Sequence, residues 1–151
     1  MTPEKNNSKI IAFAADHAGF ELKNKLKAAA GQGGFAVLDF GTDGAASVDY
    51  PDFAHVSASA IADGRAQLGV FVCGSGTGMA ISANKTPGIR AANCWSVDIA
   101  RLAREHNDAN VLCIPSRFVT EPEALAMMQI FLQTEFAGGR HAARVGKIEG
   151  C

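Results

Sequence analysis

Residues 68–73, LGVFVC, are apolar at odd and even positions alike, and the run opens straight into GSGTGM, where three glycines stand two apart. A strand so patterned has no face to give to water, so it belongs inside a sheet covered on both sides, the situation of parallel strands wrapped by helices. The rest of the chain repeats the theme. Apolar runs at 10–15, 35–40, 89–94 and 111–115 read as four more strands, and stretches at 20–30, 51–62, 79–84, 98–106 and 121–135 read as helices. Pro51 and Pro122 fall in the first turns of their helices, where a missing N–H is tolerated. In the first helix Phe20, Leu22 and Leu26 are expected to face inward, and Lys23, Lys25 and Lys27 outward. Strands separated by helices argue for an α/β fold with one parallel sheet and helices on both faces.

A chain of 151 residues is of single-domain size. Its 48% hydrophobic and 19% charged content, with a net charge of -1, gives no bulk attraction to nucleic acid or to an anionic membrane surface. No apolar run approaches the ~20 residues of a membrane span, and the opening MTPEKNNSK lacks the hydrophobic region of a secretory signal. Residues 1–8 therefore read as a flexible polar tail, 9–151 as one domain, and a cytoplasmic location is expected. Cys73, Cys94, Cys113 and Cys151 form no CxxC pair, so zinc knuckles and thioredoxin-type redox chemistry drop out and free thiols remain. Cys94 and Cys113 sit in apolar runs and read as core packing. Cys151 carries no reading.

The glycine stretch excludes two common readings. Counting from Gly74, the sixth position is Met79 rather than glycine, so the dinucleotide fingerprint fails. Asn84-Lys85-Thr86 resembles the end of a Walker A loop only superficially, because the needed glycine is absent. What survives is either a tight turn or a backbone nest able to stabilise a developing oxyanion. Beside it, Cys73 is either a buried strand-end thiol or a nucleophile or base whose ionisation is eased by convergent N–H groups. Asp16 and His17 end the first predicted strand. In a doubly wound sheet the first and third strands are commonly neighbours, so this pair and Cys73-Gly74 should emerge at one edge, where ligands bind. The alternative for Asp16 is capping of the next helix. Arg104-Glu105-His106-Asn107-Asp108 closes the predicted fourth helix, where a histidine can simply complement the helix dipole. Tyr50 either lines a pocket or anchors its loop, and His55 reads as a surface residue. Residues 137–151 follow a complete β–α series and carry Arg140, His141, Arg144 and Lys147 at near-helical spacing. On spacing alone this segment is a solvated helix.

Taken together, Asp16-His17-Ala18-Gly19-Phe20, Asp49-Tyr50-Pro51-Asp52, Cys73-Gly74-Ser75-Gly76-Thr77-Gly78, Ala83-Asn84-Lys85, Gly88-Ile89-Arg90-Ala91, Glu105-His106-Asn107-Asp108-Ala109-Asn110-Val111-Leu112 and Gly138-Gly139-Arg140-His141 resemble the type B ribose-5-phosphate isomerases and the related galactose-6-phosphate isomerase subunits. The matches come in the family's order and span about 10 to 145. The resemblance implies a Rossmann-like three-layer α/β/α sandwich with a five-stranded parallel sheet, no metal or organic cofactor, a small phosphosugar as substrate, and a homodimer or homotetramer. It also implies an active site shared between subunits, with 137–151 reaching the partner. Carried over by position, Cys73 matches the carbon base and His106 the acid that opens the sugar ring. Ser75 stands where a supporting hydroxyl is found. Asp16, His17, Tyr50, Gly74, Gly76, Thr77, Gly78 and Asn107 match substrate-binding positions, and Arg117, Arg140 and Arg144 the phosphate side. One branch of the family uses a Glu four residues after a Ser at the cysteine position. Here Thr77 occupies the first of these and Cys73 the second, which favours the cysteine branch.

The chemistry agrees with the residue types. Aldose–ketose isomerisation through a cis-enediol needs a base at carbon, a proton shuttle for ring opening and donors for the enediolate oxygens. Two arginines four apart on a helix face the same way and can grip a phosphate. Three alternatives stay open: an isomerase of another phosphosugar, such as allose 6-phosphate, galactose 6-phosphate or a tetrulose phosphate; a non-catalytic phosphosugar-binding subunit; and a nucleotide-binding Rossmann domain, which lacks its fingerprint.

Overall fold

A computed structural model describes residues 9–150 of the chain; the tail expected at 1–8 and Cys151 lie outside the described residues. Five strands, β1 (Ile10–Ala15), β2 (Ala36–Asp39), β3 (Leu68–Cys73), β4 (Ala91–Asn93) and β5 (Val111–Pro115), form one sheet in the order β2-β1-β3-β5-β4, every neighbouring pair parallel. The helices are α1 (Phe20–Gln32), α2 (Tyr50–Ala62), α3 (Thr77–Ala83), α4 (Val97–Asn107), α5 (Glu121–Gln133) and α6 (Arg140–Gly146). This is the Rossmann-like three-layer sandwich. None of these helices is long and apolar enough to cross a membrane.

The unbroken apolar runs divide their side chains between two cores. Ile11, Phe13 and Ala15 of β1, Val70 and Val72 of β3, and Leu112 and Ile114 of β5 pack with Leu26, Ala103, Met127 and Phe131 under α1, α4 and α5. Ala12, Ala14, Phe71, Cys73, Val111 and Cys113 point the other way, onto Ala54, Ala58, Met79 and Ala83 of α2 and α3. The period of two along each strand thus feeds both faces, so no polar position is needed in a central strand. Burying one such side chain contributes roughly 1.5–3 kcal/mol.

Local chemistry sets the helix ends. Thr120 and Glu123 form a reciprocal capping box at the start of α5, and the Ser96 hydroxyl accepts from the Ile99 N–H at 3.3 Å at the start of α4. Asp108 ends α4 in the left-handed region, φ 48°. Its carboxylate is held by Arg104 (3.0 Å), a buried side chain that also donates to Ala109 O and Thr134 O. Arg104 and Asp108, read in the sequence as part of a dense polar run, therefore brace the helix end that carries His106 and Asn107.

Several element bounds shift. The edge strands are shorter than expected, 36–39 instead of 35–40 and 91–93 instead of 89–94, because only one side of each has a partner. The third helix begins at Thr77, not 79, directly out of the glycine turn, and the fifth ends at 133 rather than 135. Lys23 corrects the outward reading of α1: it is 1% exposed. Its ammonium donates to Asp39 Oδ1 (2.7 Å), Asp39 Oδ2 (2.9 Å) and Thr42 O (2.9 Å), which satisfies a buried charge and moors the loop after β2. Burial pushes the Asp39 carboxyl up, but its bonds from Lys23, Lys27 and the Gly41 N–H outweigh this and hold it below the usual carboxylate range.

Candidate active site

The chain passes from β1 out to β2 and returns to the opposite side of β1 for β3, so a crevice opens between the carboxyl ends of β1 and β3. Just past β1, Asp16 Oδ1 accepts from the Ala18 N–H (3.0 Å) and the Gly19 N–H (3.1 Å). Asp16 thus shapes the turn into α1, the local role weighed for it, and is buried while still lining the crevice. Gly19 is required there, because a Cβ would run into the Val72 carbonyl oxygen of β3. His17 Nδ1 accepts from the Val48 N–H at 3.2 Å, so in the neutral ring the proton sits on Nε2.

On the β3 side, Cys73 is 4% exposed, and its carbonyl accepts from the Ser116 N–H (2.9 Å) while that of Gly74 accepts from the Arg117 N–H (3.0 Å). These two bonds lock the loop after β5 onto the glycine turn. Arg117 lies over Gly74, where a Cβ would stand 2.9 Å from Nη1. The Tyr50 ring lies against Gly78, where a Cβ would stand 2.6 Å from the ring. Ser75 Oγ accepts from the Thr77 N–H at 3.3 Å, and Gly76 takes φ 75°.

The result is a cleft of about 700 Å³ that gathers Asp16, His17, Tyr50, Cys73, Gly74, Ser75, Thr77, Gly78 and Arg117, nine of the sequence-predicted residues. Gly76 lies just beneath it, its missing side chain filled by Asn93. Ala18, Ile81 and Phe118 also line the cleft and were not singled out in the sequence. Asn93 was missed too. Its signal was a polar residue between the apolar Ala92 and Cys94 at the end of the predicted strand.

His106, Asn107 and Arg144 are elsewhere. With His141, Val145 and Ile148 they line a second recess of about 330 Å³ between the end of α4 and α6. The imidazoles of His106 and His141 stack with centroids 4.2 Å apart and planes 15° from parallel. Partial desolvation, then the positive charges of His106, Arg140 and Arg144, hold the His141 imidazole below its ordinary value of 6.5. Arg140 begins α6, exposed, and lines neither cavity. Two positive-φ glycines, Gly138 and Gly139, turn the chain into that helix.

The other described thiols are core residues, as expected. Burial pushes Cys94 up to about 12, and burial, then the charges of Cys73 and Cys94, push Cys113 well above the ordinary thiol range. Neither lines the cleft.

A family model described as Ribose/Galactose Isomerase matches residues 11–148. The ribose-5-phosphate isomerase B of Escherichia coli is 42% identical over 140 residues, covering 93% of this chain and 94% of that protein. Among solved structures, a ribose-5-phosphate isomerase B of Clostridium thermocellum superposes with a TM-score of 0.92 at 47% identity, over 93% of this chain and 95% of that one. A ribose 5-phosphate isomerase of Thermotoga maritima gives 0.92 at 46% identity, over 95% and 99%.

Proposed function

The chain belongs to the ribose/galactose isomerase family, and we propose that it interconverts D-ribose 5-phosphate and D-ribulose 5-phosphate through a cis-enediol. The observation that carries this reading is the cleft in which the Cys73 thiol stands beside the hydroxyls and backbone N–H groups of the glycine turn. Cys73 takes a proton from one of the two reacting carbons, C1 or C2, and returns it to the other. The enediolate formed between these steps places its charge on oxygen, where the N–H groups of 74–78 and the Ser75 and Thr77 hydroxyls can meet it. The first-turn N–H groups of α3 have no partners within their helix, and of these only that of Thr77 is drawn to the Ser75 hydroxyl. Asp16, His17 through its Nε2–H, and Tyr50 hold the sugar hydroxyls.

His106 protonates the ring oxygen as the furanose opens, Asn107 binds the opened sugar, and Arg140 and Arg144, with Arg117, take the phosphate. Two features support a composite site, made from the cleft of one subunit and the α6 recess of another in a homodimer or a pair of dimers. His106 and Arg144 line a different cavity from Cys73 within one chain. The cationic helix α6 buries none of its residues, so segment 137–151 has its charge to offer outward. A phosphorylated sugar is too costly to move through a bilayer unaided, so enzyme and substrate share a compartment, and we propose that this is the cytoplasm.

Purified chain given ribose 5-phosphate is expected to form the ketose without added metal. Cys73→Ala should lower kcat by about 10³-fold, the range of a lost acid–base group. Full activity in Cys73→Ala would remove the thiol from its role. Turnover of a six-carbon phosphosugar in preference to ribose 5-phosphate would reassign the substrate.

A further inference from the structure

We propose that Asn93 is a positioning residue that aims the Thr77 hydroxyl, making it a hydrogen-bond donor to the reacting end of the substrate; this rests on the isomerase reading above. Asn93 ends the edge strand β4 beside the glycine turn. Its Nδ2 donates to Ser75 O and to Thr77 Oγ1, both at 3.1 Å, so the two protons of one amide hold two points of the same turn. A flipped amide would set Oδ1 against the Ser75 carbonyl, acceptor against acceptor, and only the observed orientation is attractive.

The consequence falls on Thr77. A hydroxyl that accepts from an amide must send its own proton elsewhere. Thr77 is exposed and lines the cleft, so the open direction is toward a bound molecule. An enediolate oxygen is the acceptor whose demand grows as the reaction proceeds, and a donor already turned toward it needs no reorganisation.

Asn93 is also ill-suited to a purely structural role. Its Oδ1 is buried without a hydrogen-bond partner among the described residues, against Gly76, where a Cβ would run into it. A leucine keeps the branched shape, is somewhat larger, and would remove the unpaired acceptor. The change would trade one unpaired buried acceptor for the two bonds that Nδ2 makes to the turn.

The experiment compares Asn93→Leu, Thr77→Val and the double variant on ribose 5-phosphate. Asn93→Leu is expected to melt within a few degrees of the wild type, to keep KM within about twofold, and to lose about tenfold to a hundredfold in kcat, somewhat less than the loss of a direct oxyanion donor. Inhibition by a four-carbon phosphorylated hydroxamate, which mimics the enediolate, should weaken by the same factor. In the Thr77→Val background the Asn93→Leu change should cost much less in kcat than in the wild type, because its action on the substrate runs through that hydroxyl and only the bond to Ser75 O remains to be lost. Asn93→Asp supplies a second readout. Its protonated form can still donate and its carboxylate cannot, so kcat should fall as pH rises through the carboxyl range, a limb the wild type lacks. An Asn93→Leu enzyme with unchanged kcat, or losses that simply multiply in the double variant, would overturn the proposal. Absence of ketose from the wild type would overturn the isomerase reading and this proposal with it.

Discussion

The cleft around Cys73 and the recess around His106 are built in opposite ways. The cleft sits on the ends of β1 and β3, central strands with both faces covered, and its turn is tied to neighbouring loops by backbone bonds from Ser116 and Arg117. The recess is closed by a helix without a buried residue, held to α4 by one imidazole stack and by the Ala137 N–H donating to Glu105 O at 3.0 Å. Carbon chemistry needs reacting groups placed within a few tenths of an ångström, and rigid strand ends supply that. On the proposed reading the recess grips a distant phosphate, which tolerates a looser mount, and a looser mount is free to reach a neighbouring subunit.

The sharpest way to break this contrast is to separate its halves. Cys73→Ala and His106→Ala should each be inactive as pure proteins. Mixed in equal amounts through unfolding and refolding, they should recover about a quarter of wild-type activity, since half the random dimers are mixed and each carries one intact composite site. No recovery would mean that both groups act within one chain.

Rigidity of the strand side is tested at Gly19. Gly19→Ala forces a Cβ onto the Val72 carbonyl oxygen, and about 3 kcal/mol of stability should be lost in denaturant unfolding. A substitution in α6 should leave stability alone. Arg144→Ala is expected to lower kcat/KM by about tenfold, mostly through KM, with an unchanged melting temperature, as the loss of one charge-assisted phosphate contact would. A large drop in melting temperature would show that α6 is a structural element instead.

The smallest effect is one of pH. The folded-state pKa of His141 is depressed below 6.5, so at lower pH the unfolded form binds more protons than the folded one. The stacked arrangement is favoured above about 6.5 and weakens as pH falls through that value. Protection factors of the α6 amides, with the intrinsic exchange rate at each pH divided out, should fall on acidification while those of a central strand such as β3 hold.

Much of the fold was legible, and unevenly. The bounds of β1, β3 and β5 coincide with their apolar runs because burial on both faces admits no polar residue. The edge strands were less clear, since each is paired on one side and its pattern blurs into the loops. Lys23 was misplaced because lysine at a helical position ordinarily faces water. Its burial depends on Asp39 and the Thr42 carbonyl, 16 and 19 residues away in the chain.

The sequence by itself determined the parallel sheet, the glycine turn after Cys73, and the set of residues on which the family resemblance rests, because apolar periodicity and backbone freedom are local properties. Only the tertiary structure decided which of those residues share a space. It put Tyr50 against Gly78 and Arg117 over Gly74, set Asn93 beneath the turn, and parted His106 from Cys73. Such neighbours are fixed by strand order and by backbone bonds between segments tens of residues apart, and no local pattern encodes them.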